Sequence, residues 1–279
     1  MAELRLENHS ITNLLTVSGL PKSTFYYQRQ ASKVEDRYAK IKEQIRVIFE
    51  QHHGRYGYRR ITAALLQMGE RINHKTVQRL MGVLGLKSVV RPKKYRSFKG
   101  DIGIAADNLL DRQFEADSPN QKWVTDVTEF NVDGNKLYLS PLLDLYNGEI
   151  IAYETSRRPA FAMVQSMLTK SIAKLLPQER PMLHSDQGWQ YRMSQYKATL
   201  HERGMVQSMS RKGNCHDNAA MESFFAVLKS ELFYPKKFSS TDELESAIGE
   251  YIRYYNYDRI KMKLGGLSPV QYRTQAMAA

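Results

Sequence analysis

Three carboxylates, each in a different local pattern, stand out between residues 121 and 231. Asp126 lies within QKWVTDVTEF, an alternating run of β-branched and aromatic residues that predicts a strand. Asp186 follows the short apolar segment PMLHS, at the C-terminal edge of a predicted buried strand. Glu222 lies early in AAMESFFAVLKSELF, whose apolar residues recur every three or four positions. It therefore belongs to an amphipathic helix, for which Asp217 or Asn218 is available as N-cap.

Two acids on strands and one on a helix can hold two hard divalent cations, because Mg²⁺ prefers carboxylate oxygens and leaves positions for water and phosphate. We expect two Mg²⁺ ions per site, replaceable by Mn²⁺, and chemistry that cuts or joins phosphodiesters. Thirty-five residues separate Asp186 from Glu222, and Lys229 follows Glu222 by seven, two helical turns along the same face. Each acid alone is more often a solvated or capping residue, so the prediction depends on the combination.

These residues lie in the first three of four longer motifs: WVTDVTEF, HSDQGWQY, CHDNAAMESFFAVLKSE and YNYDRIKMKLGGLSPVQYR. In order and spacing they resemble the DDE transposases of the insertion-sequence-three family, relatives of retroviral integrases. The resemblance covers roughly residues 108–273, and HHGRYGYRRI extends it upstream. The chain departs from the family at Lys261, where His is frequent, but the substitution keeps a positive charge.

The resemblance implies a ribonuclease-H-like fold in which the first and fourth strands are neighbours, bringing Asp126 and Asp186 together. It also implies strand cleavage and transfer at the ends of a mobile element, with double-stranded DNA as partner. In our hypothesis Asp126 bridges two ions, Asp186 and Glu222 each hold one, and Lys229 contacts a phosphate. Members of this family act on DNA as homo-oligomers and are commonly fused to a small upstream helix-turn-helix protein, which is a further candidate partner.

Charge is divided unevenly along the 279 residues. Residues 1–100 carry 20 Lys and Arg against 7 Asp and Glu, whereas residues 101–279 carry 21 against 22. Such a basic block attracts nucleic-acid phosphates, although a merely solvated surface is the alternative. The sequence has one cysteine and no long apolar run or signal region. These features predict a cytoplasmic protein without disulfides or a membrane partner, and the resemblance implies a place at the bacterial nucleoid.

The basic N-terminal third is predicted to be helical. A helix before Gly19 and another after Pro21 form a candidate helix-turn-helix, and a second helix pair lies between residues 58 and 84. Adjacent His52 and His53 lack the partners of a metal site and are assigned to the surface or to a cap. The candidate DNA contacts of these helices are Lys22, Ser23, Thr24, Arg55, Arg59, Arg60, Lys75 and Arg79.

Basic, aromatic-containing RPKKYRSFKG predicts a linker that lies along DNA. We expect a helix-turn-helix region over 1–90, a linker and connector over 91–117, and the catalytic core over 118–279. The core is predicted to be a mixed α/β sheet with helices on both faces. Further candidate DNA contacts in the linker and in the polar loop before Glu222 are Lys93, Lys94, Arg96, Arg211 and Lys212.

Two other functions fit parts of the sequence. A ribonuclease-H-like nuclease would cut DNA without joining it, but would not need the basic N-terminal third. A DNA-binding repressor with a decayed core would not need three intact acids. A metal-dependent transposase accounts for both features.

Overall fold

The computed structural model describes residues 11–31, 36–89, 106–211 and 215–278. The predictions for Lys93, Lys94, Arg96 and Lys212 lie outside these ranges. Within them, no helix is long and apolar enough to cross a bilayer.

The described part of the N-terminal third forms five helices: α1 (Ile11–Ser18), α2 (Lys22–Ala31), α3 (Ala39–Gln51), α4 (Tyr58–Gln67) and α5 (His74–Val83). Gly19 separates α1 from α2 with φ of 64°, a conformation that glycine adopts without steric penalty. Helices α3 to α5 bury their apolar faces in one cluster that includes Ile45, Leu65 and Leu80. His52 is the C-cap of α3, one of the two positions expected for it. Its ring is buried and stacked on Tyr56 at 3.8 Å, so the alternative surface position is wrong.

Six strands form one mixed sheet: β1 (Lys122–Thr125), β2 (Thr128–Val132), β3 (Asn135–Asp144), β4 (Ile150–Ser156), β5 (Met182–Ser185) and β6 (Val206–Met209). β3 pairs antiparallel with β4 on one side and with β1 and β2 on the other. β1 then pairs parallel with β5, and β5 with β6. The first and fourth strands of the sequence prediction are therefore neighbours, as expected.

The strand predicted around Asp126 is interrupted at that residue. β1 and β2 pair with β3 in a single register, which places Pro141 opposite Asp126. Proline has no backbone N–H to donate to the ladder. The Thr125 hydroxyl instead donates to the Pro141 carbonyl at 2.8 Å. The acid thus lies at a gap between two strand segments, where its side chain and backbone are released from regular pairing.

Alternation along the strands gives the sheet two apolar faces. On one face Val124 and Leu139 pack against α8 (Ala219–Leu228) and α9 (Thr241–Tyr257). On the other, Trp123 and Leu142 pack against α6 (Phe161–Ile172) and α7 (Ser194–Glu202). After α8 the chain continues in a π-helical turn, Lys229–Phe233, and the last helix is α10 (Pro269–Ala278).

Part of the predicted connector packs into this core. Leu110 is buried among the residues of the α8 face, and Ala106 packs on the opposite face. The Ser208 hydroxyl on β6 accepts the backbone N–H groups of Leu109 at 2.9 Å and Leu110 at 3.1 Å. The packed core therefore begins at least twelve residues before the boundary expected near 118.

Candidate active site

Asp126 and Asp186 come together because their strands are parallel neighbours. β1 pairs with β5 so that Val124 lies opposite His184. Continuing this register by two residues places Asp126 beside Asp186, on the sheet face that carries α8. Both side chains are half-buried, so they can meet solvent or a bound ion.

The turn after β5 fixes the Asp186 carboxylate. The backbone N–H of Gly188 donates to Asp186 Oδ1 at 2.8 Å. A Cβ atom at residue 188 would lie 2.9 Å from the same oxygen and 2.7 Å from Gln190 Nε2, so a larger residue there would have to displace these side chains. On the other strand, the Val127 N–H donates to Asp126 Oδ1 at 2.7 Å. Each aspartate thus has one oxygen oriented by the backbone.

Helix α8 is tied to β1 at its first turn. Asn218, its N-terminal flanking residue, donates from Nδ2 to the carbonyl of Thr125 at 3.1 Å, next to Asp126 in the chain. Met221 and Phe224 are buried against the sheet, which fixes the rotation of the helix. Glu222 lies in that first turn and is half-buried. The helix therefore presents the third acid to the aspartate pair.

Electrostatics shows that the three acids interact. Burial raises the pKa of Asp126 well above its ordinary value, and the negative charges of Asp186 and Glu222 raise it further. The Val127 N–H and the Lys229 ammonium act in the opposite direction. The pKa of Asp186 is also raised, chiefly by burial. The acids thus form a negatively charged group whose repulsion a cation would relieve.

A divalent cation fits the chemistry of these donors, since hard cations prefer carboxylate oxygens. Asp126 and Asp186 provide an adjacent pair. No three His, Cys, Asp or Glu side chains in the described ranges lie close enough together to enclose an ion. Glu222 therefore belongs to the same electrostatic group without completing a closed ligand set.

Lys229 lies at the start of the π-helical turn that follows α8. Its Nζ donates to the carbonyl of Glu129 at 3.2 Å and lies 5.1 Å from the centre of the Phe130 ring. It is close enough to the acids to lower the pKa of Asp126. The lysine is thus held at the edge of the acidic group, where a phosphate of a bound strand could reach it.

Asp217, one of the two candidate caps of α8, has a different role. It is fully buried and accepts hydrogen bonds from Asn108 Nδ2, Arg112 Nε and the backbone and side chain of Arg211. Burial alone would raise its pKa, but the bonds to Arg211 and Arg112 hold it well below the ordinary range. Asp217 therefore joins the connector to the loop before α8, and Arg211 is part of that structural network.

The candidate DNA contacts of the N-terminal helices fall into two groups. Arg59, Lys75, Arg79, Lys22 and Ser23 are exposed, and Thr24 is half-buried. Arg55 and Arg60 are half-buried and lie against Glu231, in the turn after α8. Of these candidates, the five exposed residues of the first group lie on open surface.

The sequence patterns assigned no role to two buried residues beside the acids. Tyr191 is fully buried, and burial together with the charges of Asp126 and Asp186 raises its pKa well above the ordinary value. Its position five residues after Asp186 gives no periodic signal of burial.

His184 lies two residues before Asp186. The Ser208 hydroxyl already accepts two N–H groups, so its own O–H donates to His184 Nδ1, at 2.8 Å. The imidazole proton is therefore on Nε2, which donates to Ser210 Oγ at 3.0 Å. Burial lowers the pKa of His184 to about 4. This neutral histidine joins β5 to β6 below the acids.

Comparisons with known proteins agree with this architecture. The family described as "HTH-like domain" matches residues 35–94, and two families described as "Integrase core domain" match residues 116–215 and 222–277. InsK for insertion sequence element IS150 of Escherichia coli (strain K12), which carries a transposase name, is 54% identical over 98% of this chain and 96% of the relative. The transposase InsF for insertion sequence IS3A of the same organism is 33% identical over 82% and 81%.

Among solved structures, the HTLV-2 integrase catalytic core domain in complex with magnesium, in its trimeric form, aligns with a TM-score of 0.46. It is 16% identical, over 56% of this chain and 97% of that chain.

Identities of 54% and 33%, over 96% and 81% of the two relatives, show the family of this chain. Because the family consists of transposases, the chain is a polynucleotidyl transferase. The chain belongs to the insertion-sequence-three family of transposases, with a mixed α/β integrase core preceded by a helical region that contains an HTH-like domain.

Proposed function

We propose that Asp126, Asp186 and Glu222 are the catalytic acids of this transposase and hold divalent cations, two Mg²⁺ ions per site with Mn²⁺ as a substitute. The observation that carries the proposal is the parallel register of β1 and β5, which sets the two aspartates side by side beneath α8. When bound, the ions supply charge stabilisation for the attacking and leaving oxygens of a phosphodiester exchange.

The residues of the chain orient and hold the reacting groups. Gly188 and Val127 each direct one aspartate oxygen, leaving the remaining carboxylate oxygens for a cation. Lys229 neutralises a phosphate of the bound strand, a positioning role that needs a fixed ammonium. The reaction is cleavage and transfer of DNA strands at the ends of an insertion element.

Recognition of DNA is assigned to the N-terminal third. The exposed Lys75 and Arg79 lie on α5, the second helix of the pair α4 and α5, with Arg59 on α4. Lys22, Ser23 and Thr24 lie on α2 and offer a second contact, to which the basic linker adds Lys93, Lys94 and Arg96. The proposed regions are those expected from the sequence, except that the packing of Ala106 and Leu110 against the sheet favours counting residues 106–117 with the catalytic core.

The working assembly is proposed to be a homo-oligomer on the element ends, with the upstream helix-turn-helix protein of the same element as a further partner. Two DNA ends must be joined to one target, and a pair of sites on symmetric protomers provides this.

The test is an incubation of the purified protein with labelled element-end DNA and Mg²⁺, scored separately for cut and for joined product. Joined product that disappears in Asp126→Asn and Asp186→Asn supports the proposal. Cut product without joining would identify a nuclease, and binding without either product would identify a repressor. Cleavage by Glu222→Gln at the wild-type rate would remove that residue from the site.

A further inference from the structure

Another buried carboxylate, that of Glu231, lies where the N-terminal helices meet the catalytic core. Arg259 donates to it twice, from Nε to Oε2 at 2.8 Å and from Nη2 to Oε1 at 2.7 Å. The Tyr251 hydroxyl donates to Oε2 at 2.8 Å. Burial alone would raise the pKa of Glu231, but the bonds and charge of Arg259 keep it below the ordinary value. Glu231 is therefore a fixed anion inside the protein.

Two arginines from the N-terminal helical region reach the same residue. Arg60 Nη1 on α4 lies 3.4 Å from Glu231 Oε1. Arg55 donates from Nε to the Glu231 backbone carbonyl at 3.3 Å, and its guanidinium lies 4.8 Å from the ring centre of Tyr254. The buried carboxylate thus contacts the guanidinium of Arg259 from its own core and that of Arg60 from α4.

Other contacts across this junction go elsewhere in the core. The Tyr56 hydroxyl donates to the carbonyl of Asp258 at 3.1 Å and accepts the N–H of Ile260 at 2.8 Å. Gln67 Nε2 donates to the carbonyl of Gly266 at 2.8 Å. These contacts hold the segment after α9. Arg55 and Arg60, by contrast, contact the π-helical turn that continues the helix of Glu222.

The position of Glu231 connects it to the proposed chemistry. It lies nine residues after Glu222 and two after Lys229, in one helical segment. Met221 and Phe224 are buried on the sheet, so α8 has little freedom to bend, and a change in the π-helical turn that continues it would be passed along the helix to Glu222. Displacement of a catalytic group by about 1 Å can lower a rate by roughly 10²-fold.

We propose that Glu231 is a positioning residue through which the packing of the N-terminal helices against the core determines the position of α8. Glu231 thereby positions Glu222 and Lys229 relative to Asp126 and Asp186. The inference rests on the proposed function of these four residues. Its consequence is that the HTH-like region contributes to the rate of strand cleavage as well as to DNA affinity.

The test is the double variant Arg55→Gln/Arg60→Gln, which leaves the bonds of Glu231 to Arg259 and Tyr251 in place. Element-end DNA at saturating concentration, with Mg²⁺, gives the single-turnover cleavage rate, and a titration gives DNA affinity. We expect the rate to fall roughly 10- to 100-fold, with affinity within a few fold of wild type and an unchanged melting temperature. Arg60→Lys alone, which keeps the charge, should retain most of the rate.

Arg46→Gln is the matched control, because Arg46 is an exposed α3 arginine that pairs with Glu43 and does not contact Glu231. An equal loss of rate in this control would overturn the inference, as would a fall in DNA affinity that accounts for the slower cleavage. So would a lowered melting temperature together with failure of Arg60→Lys to retain activity.

A parallel Glu222→Gln sample separates the two proposals. If Glu222→Gln is inactive while the double variant cleaves at the wild-type rate, the positioning role fails and the catalytic assignment stands. If Glu222→Gln is active, the catalytic assignment itself fails.

Discussion

The helix of Glu222 lies between two kinds of carboxylate environment. Burial raises the pKa values of Asp126 and Asp186, beside its first turn, and repulsion by Asp186 and Glu222 raises that of Asp126 further. Asp217 before the helix and Glu231 after it are more deeply buried, yet arginines lower their pKa values. Burial alone therefore does not distinguish the two kinds; the presence of a fixed cationic partner does.

This difference separates structural acids from acids that remain available to a cation. Glu231 and Asp217 each have their oxygens occupied by donors from other segments, so they hold those segments together. Asp126 and Asp186 each receive a short-range backbone bond to one oxygen. In unassigned structures, acids with raised pKa values in an accessible cleft are the better candidates for chemistry.

The largest effect that tests this comparison is on activity. Asp126→Asn, Asp186→Asn and Glu222→Gln should each lower strand cleavage by roughly 10³-fold or more, about 4 kcal/mol of transition-state stabilisation, while DNA affinity changes little. The measurement is cleavage of labelled element ends in Mg²⁺ alongside a binding titration. Glu129→Gln, at a surface ion pair with Lys136, serves as the control and should cleave normally.

The next effect is on stability, and it should appear at the other kind of site. Glu231→Gln leaves the Arg259 guanidinium buried without its anion and should lower the free energy of unfolding by about 3–5 kcal/mol. Glu129→Gln should change it by less than about 1 kcal/mol, because that pair is exposed. Urea unfolding of the two variants measures both values. A similar loss in both would show that the buried network is no stronger than a surface pair.

Metal removal should act on the first kind of site alone. In EDTA, Asp126→Asn and Asp186→Asn should melt at or above the wild-type temperature, because each removes repulsion between acids. Mg²⁺ at 100 times its dissociation constant should stabilise wild type by about 2.7 kcal/mol and these variants by less. Glu222→Gln should show a smaller gain in EDTA, because a helix-borne side chain can turn away from the pair. Thermal melts with and without Mg²⁺ that shift all four proteins alike would contradict the clustered acids.

The smallest effect is the opposite pH response of the two sites. Folding raises the pKa of Asp126. Its contribution to the stability of the metal-free protein is therefore favourable at low pH. That contribution is lost as the pH rises from 3.8, the pKa in the unfolded chain, through the higher pKa in the folded protein. The pKa of Asp217 is lowered, so its contribution is present above 3.8 and is lost as pH falls further.

Melting in EDTA from about pH 4 to about pH 8 should therefore fall less steeply in Asp126→Asn than in wild type. The difference should be on the order of 1 kcal/mol for each unit of pKa shift. Asp217→Asn should instead reduce the loss of stability on further acidification. Identical pH profiles for wild type and Asp126→Asn would show that Asp126 has an ordinary pKa in the folded protein.

Much of this organisation was predicted from the sequence because it depends on local patterns. Alternation around Asp126, the apolar run before Asp186 and the three-to-four periodicity around Glu222 identify the elements that carry the acids. The four motifs identify the family, and the mixed sheet with its neighbouring first and fourth strands is confirmed. The catalytic roles of the three acids remain predictions, to be tested as described.

Only the tertiary structure decides which residues of neighbouring strands lie opposite each other and which side chains surround a buried acid. The break at Asp126 arises because pairing with β3 places Pro141 opposite it, and no feature near residue 126 announces a proline fifteen positions away as its neighbour. The partners of Asp217 also depend on tertiary structure. The local pattern predicts a helix cap at this residue, but the side chains of Asn108, Arg112 and Arg211 donate hydrogen bonds to it.

The sequence by itself determined the acids, their spacing, the family and the cationic character of the N-terminal third. It could not determine where each arginine points. Arg55, Arg59 and Arg60 are equivalent as charges in a basic stretch, yet Arg59 is exposed while the other two meet Glu231, 171 or more residues later in the chain. A guanidinium binds phosphate and carboxylate with the same geometry. Only the packing of α4 against the turn after α8 decides which anion it meets.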